Sequence, residues 1–201
     1  MVGARQFDER EVMAIALEVF WRKGLHDTSM QDLATATGVQ RGSLYNAYGD
    51  KEAIFLSAFD DYAARFLETV GRALARGDVP TRLRRFFDVI IVNMTSGSPP
   101  RGCLTTRTAL DAGMASDAVR RRVQALLAQL ERVVGDAIRA VPQGAPPMGP
   151  DRLARLVVTF TRGLAVMERA GYDRRQLKDI ATTFVDGLMG EGGGRDERVG
   201  R

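Results

Sequence analysis

Between Thr28 and Lys51 the chain reads TSMQDLATATGVQRGSLYNAYGDK, a stretch whose polar side chains suit recognition rather than catalysis. Arg41 carries a planar guanidinium that can pair with guanine through two hydrogen bonds, and the Asn46 amide matches adenine in the same way. Ser43 adds a small donor and acceptor. Gly42 has no side chain, so the backbone there can approach another surface closely. Thr28, Ser29, Tyr45 and Lys51 offer hydroxyls and an ammonium suited to phosphate oxygens, with main-chain amides at helix starts assisting. Catalytic chemistry lacks its parts. The single histidine, His26, has no partner at metal-ligand spacing, and Cys103 has no second histidine to act as its base. No phosphate-binding glycine motif of the usual spacing occurs. No enzyme activity, cofactor or metal is expected.

These groups need short helices to hold them. Ser29 offers an N-cap with Asp32 three residues on, which predicts a helix running to about Thr37. Gly38 is placed to take the left-handed conformation that ends it. A second short helix is predicted over 41–47, with Leu33, Ala34 and Val39 packing the pair and Ala36 allowing a close crossing. A preceding helix over 8–23 places Val12, Ile15, Ala16, Val19 and Phe20 on one side, with acids in its first turn. Two short helices joined by a tight turn form the layout of a DNA-reading helix-turn-helix.

From Asp50 onward the apolar spacing stays helical. Helices are predicted over 51–76, 81–95, 104–111, 116–141, 151–170 and 174–189, with Gly77 and Pro80 separating the first two. SGSPPRG at 96–102 and PQGAPPMGP at 142–150 read as loops, and residues 190–201 as a disordered tail. No strand-type alternation competes. The expected fold is all-α, nine helices in total, with a helix-turn-helix domain over 1–50 and a larger helical domain over 51–189.

Charge does not carry the DNA reading. The chain has a net charge of +4, yet residues 1–51 hold six Lys/Arg against seven Asp/Glu, a balance of −1. Binding must therefore rest on a few positioned groups rather than on general basicity. One cysteine excludes an intrachain disulfide, and the sequence predicts neither a secretion leader nor a membrane span. A cytoplasmic protein with no membrane partner is expected.

The run T-S-x-x-D-L-A-x-A-x-G-V, R-G-S-L-Y-x-x-Y, D-K-E-A, following an amphipathic helix, closely resembles the N-terminal domain of TetR-family transcriptional regulators over residues 8–55. The resemblance implies a homodimeric repressor whose larger C-terminal domain binds a small molecule and then releases a double-stranded DNA operator. Tyr48 falls where the family has an aromatic packed on the domain core. Gln40 departs from the small N-cap that the family often has.

A module this small makes few base contacts, so a dimer on a palindrome is expected. Leu153, Leu156, Val157, Phe160, Leu164 and Met167 form one apolar stripe, and Leu177, Ile180, Ala181, Phe184 and Leu188 another. Paired with their symmetry mates, the two stripes could build a four-helix bundle. For the effector, Phe59, Tyr62, Phe66, Phe86, Ile90, Met94, Met114, Leu126, Phe160 and Met167 are candidate pocket residues, with Cys103, Thr106, Arg107 and Arg162 as the polar ones. They suit a partly aromatic or lipophilic molecule. Two alternatives stand beside this reading: thiol-based sensing through Cys103, and constitutive DNA binding without an effector.

Overall fold

The computed structural model describes residues 8–111, 116–141 and 148–190. Residues 191–201 of the tail expected over 190–201 and most of the proline-rich loop fall outside these residues, as does Met114. Nine helices and no strand occur among the described residues: α1 (Glu9–Lys23), α2 (Met30–Thr37), α3 (Arg41–Tyr48), α4 (Lys51–Leu74), α5 (Val79–Met94), α6 (Leu104–Leu110), α7 (Asp117–Arg139), α8 (Pro150–Arg169) and α9 (Arg174–Met189).

Local chemistry sets most helix boundaries. The Asp8 carboxylate accepts from the Arg10 and Glu11 amides at the start of α1. At α2, the Ser29 hydroxyl accepts from the Asp32 amide at 3.1 Å while Asp32 accepts from the Ser29 amide at 2.9 Å, a reciprocal capping box. Gly38 takes φ 69°, closing α2 in the left-handed conformation that glycine adopts without strain. Pro80 does not separate two helices as its position in the sequence suggested. It sits in the first turn of α5, where Asp78 caps the Thr81 amide, because a proline lacks only an amide that has no intrahelical partner there.

The chain divides into two compact units, residues 1–65 with 104–126, and residues 66–103 with 127–201. In the first unit, Leu33 and Leu44 anchor α2 and α3 in an apolar core with Ala16, Phe20, Ile54, Phe55 and Val119. Aromatic edges reinforce it: Phe20 meets Phe55 at 5.2 Å between centroids, and Trp21 meets Tyr62 at 5.0 Å, both near-perpendicular. Arg122 pairs with Asp60 at 3.1 Å, joining α7 to α4.

In the second unit, Leu83, Phe86, Phe87, Ile91, Leu153, Val157, Leu177 and Val185 make the core of α5, α8 and α9. Phe160 and Phe184 stack face to face, 3.7 Å between centroids, and Phe87 meets both edge-on. Arg84–Asp186 at 2.6 Å and Lys178–Asp88 at 2.7 Å link α5 and α9 on the solvent side. Such exposed pairs contribute little beyond register.

Candidate nucleic-acid interface

Helix α3 is fixed by one face and offers the rest. Leu44 is fully buried, while Arg41, Gly42, Ser43, Tyr45 and Asn46 are exposed. Four of these five are the residues expected to meet bases, so the structure brings that set together on one open face. A Cβ placed on Gly42 would find open space, so internal packing does not require glycine there. The Arg41 guanidinium lies over the Tyr45 ring, 5.5 Å from its centroid.

The expected phosphate contacts divide. Tyr45 is 42% exposed and available. Thr28 is a correction: its side chain is 1% exposed, and its hydroxyl donates to the Gly24 carbonyl at 2.6 Å, leaving nothing to reach a phosphate. Ser29 is exposed, but its hydroxyl and amide both engage Asp32. Lys51 donates to the His26 and Thr28 carbonyls, each at 2.8 Å, so it clamps the α1–α2 turn to the start of α4. An ammonium has three N–H donors, and two are thus engaged. Ala36, expected to allow a close helix crossing, is instead exposed to solvent.

Asp32 ties the motif to α1. Its carboxylate receives the Lys23 ammonium at 2.6 Å, and this bond, with those from Ser29, holds its pKa well below the usual carboxylate range. Two links that the sequence did not reveal lie nearby. Arg107 Nη1 donates to the Trp21 carbonyl at 2.9 Å, and a Cβ on Gly24, whose φ is 84°, would stand 2.8 Å from Asp111 Oδ2. Both bring the end of α6 against the end of α1. No periodic pattern encodes a contact between positions 86 residues apart.

Residues 12–58 match the family model described as bacterial regulatory proteins, tetR family. Residues 79–184, more than half of the chain, match the one described as tetracyclin repressor-like, C-terminal domain. The chain belongs to the TetR family. It is a helix-turn-helix transcriptional regulator and not an enzyme.

Among curated TetR-like relatives, the HTH-type transcriptional repressor ComR of Escherichia coli (strain K12) is 26% identical over 184 residues, covering 89% of this chain and 88% of its own. The HTH-type transcriptional repressor DhaR of Mycobacterium sp. (strain GP1) is 24% identical over 180 residues, covering 86% and 87%. A cysteine mutant of the TetR-family regulator CifR, solved with a 26-bp double-strand operator, shares the fold with a TM-score of 0.81 at 24% identity, covering 92% and 98%. The reduced form of E. coli NemR gives 0.80 at 15% identity, covering 89% and 95%.

Of the residues expected to line an effector pocket in this TetR-family chain, Phe59, Tyr62, Phe86, Ile90, Met94 and Leu126 are buried. Phe66, Cys103, Thr106, Arg107, Phe160, Arg162 and Met167 are half-buried. In the first unit, Phe59 and Tyr62 continue the ring series that ends on Trp21. In the second, Arg162 Nη1 stands 3.6 Å from Cys103 Sγ.

The dimer stripes are partly corrected. Leu153, Val157, Leu164 and Leu177 are at most 1% exposed within the protomer, so they complete its own core and cannot meet a partner. Leu156, Phe160 and Met167 on α8, with Ile180, Phe184 and Leu188 on α9, reach the surface. Gly163 and Gly187 are exposed helical glycines, and a Cβ on either would meet open space.

Proposed function

We propose that this regulator is a ligand-released repressor that binds a palindromic double-stranded operator as a homodimer in the cytoplasm. The observation that carries the DNA reading is the open surface of α3, where Arg41, Gly42, Ser43 and Asn46 are exposed while Leu44 is buried. Arg41, Ser43 and Asn46 would read base edges in the major groove, Gly42 would admit close approach, and Tyr45 and the remaining Lys51 donor would touch phosphates, the Ser29 donors being held by Asp32. Residues 1–50 would form the reading domain and 51–189 the effector and dimer part. Repression is favoured by the names of ComR and DhaR, and operator binding by the CifR complex.

Dimerisation would use the surface residues of α8 and α9, centred on Leu156, Phe160, Ile180 and Phe184. Gly163 and Gly187 support this reading, because glycine inside a helix lowers its stability and no neighbour among the described residues requires it at either place. Sedimentation at micromolar concentration tests it: a dimer is expected, with Leu156→Glu shifting it to monomer, and a monomeric wild type would reject it.

The effector would be a small, largely lipophilic molecule, as the aromatic and Met candidates suggest. A shift of α6 would reach the reading domain through Arg107 on the Trp21 carbonyl. The direct test is a complex with DNA flanking the chain's own gene, challenged with a library of lipophilic compounds. Release by a compound is the expected outcome; retention against all of them favours the constitutive binder. The cation beside the Cys103 sulfur favours thiol sensing as a second reading. If an electrophile releases Cys103→Ser from DNA as well as wild type, that second reading is lost.

A further inference from the structure

We propose that the ring of Tyr45 positions Arg41 and thereby sets base discrimination, apart from any phosphate contact made by its hydroxyl. The proposal rests on α3 being the reading helix. Side chains on a helix lean toward its N-terminus, so a ring at position 45 covers the turn at position 41. The guanidinium lies over that ring at 5.5 Å from its centroid.

Nothing else on α3 holds the cation. Arg41 is the first residue of the helix, where the positive end of the dipole disfavours it. Gln40 provides no side-chain cap, and the first turn holds no acid. The negative face of the aromatic ring is therefore the one feature of α3 that attracts the charge. Both residues are exposed, and the open space at Gly42 leaves their surroundings uncrowded.

A free surface arginine loses rotamer freedom when it binds, whereas one already stacked on a ring starts from a restricted set with its planar fork oriented. The ring is required for this and the hydroxyl is not. Tyr45 thus has two separable roles, and conservative substitution tells them apart.

The experiment begins with the consensus that wild-type protein selects from a randomised double-stranded library. Wild type, Arg41→Ala, Tyr45→Phe and Tyr45→Leu are then titrated with the consensus and with duplexes changed at each base pair in turn. Thermal unfolding confirms that each variant is folded. Arg41→Ala is expected to lose its preference at one base pair of each half-site. Tyr45→Phe should keep that preference while binding every duplex more weakly by the same factor. Tyr45→Leu should lose about 3-fold or more of the preference at the Arg41 base pair.

Wild-type discrimination by Tyr45→Leu overturns the proposal, and so does a Tyr45→Phe variant that loses as much as Tyr45→Leu. If Arg41→Ala keeps every preference, the assignment of Arg41 to a base fails and takes the positioning role with it. That result differs from one in which only the Tyr45 variants behave unexpectedly.

Discussion

Arg107 donates a hydrogen bond to the main-chain carbonyl of Trp21, 2.9 Å away, and so joins α6 to the last turn of α1. The single tryptophan of the chain is 2% exposed and packs edge-on to Tyr62. Arg107→Met keeps the aliphatic stem and removes the donors. The expected cost is about 1.5–3 kcal/mol, the range for hydrogen bonds to charged groups. Denaturant unfolding followed by Trp21 fluorescence measures it; a stability equal to wild type would show that the link is incidental.

Lys51 has a comparable place in the reading domain, since its ammonium holds the His26 and Thr28 carbonyls. Lys51→Met should therefore lower stability without DNA present, by about 1–3 kcal/mol. A lysine that served phosphates alone would leave the free protein's melting temperature unchanged. Thermal unfolding of both proteins in buffer separates the two roles.

Gly42→Ala separates folding from recognition. Alanine in place of glycine within a helix is expected to raise stability by about 0.5–1 kcal/mol, because its Cβ meets no neighbour. If α3 lies against DNA, the same methyl group should weaken operator binding by about tenfold or more. Paired unfolding and binding titrations should move in opposite directions.

The Asp32 carboxylate, bonded to Lys23 and Ser29, has a lowered pKa in the folded chain. A carboxyl that is more acidic when folded stabilises the fold above its ordinary pKa of 3.8. That stabilisation declines as pH falls below this value, as protons bind the unfolded chain first. The melting-temperature gap between wild type and Asp32→Asn should be full at neutral pH and shrink below about pH 4. A gap that stays constant down to pH 3 would show that only the cap geometry matters.

Helix boundaries were legible wherever the signal was local. Ser29 and Asp32, Gly38, and the Asp50–Lys51 start each act within four residues, and the structure places α2, α3 and α4 accordingly. Partners distant in sequence were not legible. The Arg107–Trp21 bond spans 86 positions and Lys51–Thr28 spans 23, beyond the reach of any helical period. Thr28 shows the limit for a single residue, since a hydroxyl at a helix start suits a phosphate and a buried carbonyl equally well. Leu153 and Leu177 show the limit for a stripe. Apolar spacing says which side of a helix is buried, not whether its own protomer or a second copy covers it.

Interference by dimethyl sulfate tests the central claim most directly. The reagent methylates guanine N7 in the major groove and adenine N3 in the minor groove, and the duplex is the consensus selected by the wild-type protein. With α3 in the major groove of each half-site, N7 methylation should block binding at two guanine clusters about one helical turn, or a whole number of turns, apart. Arg41→Ala should erase the block at one guanine in each cluster. Interference confined to adenine N3, or a pattern unchanged by Arg41→Ala, would contradict the assignment of α3 as the helix that reads DNA.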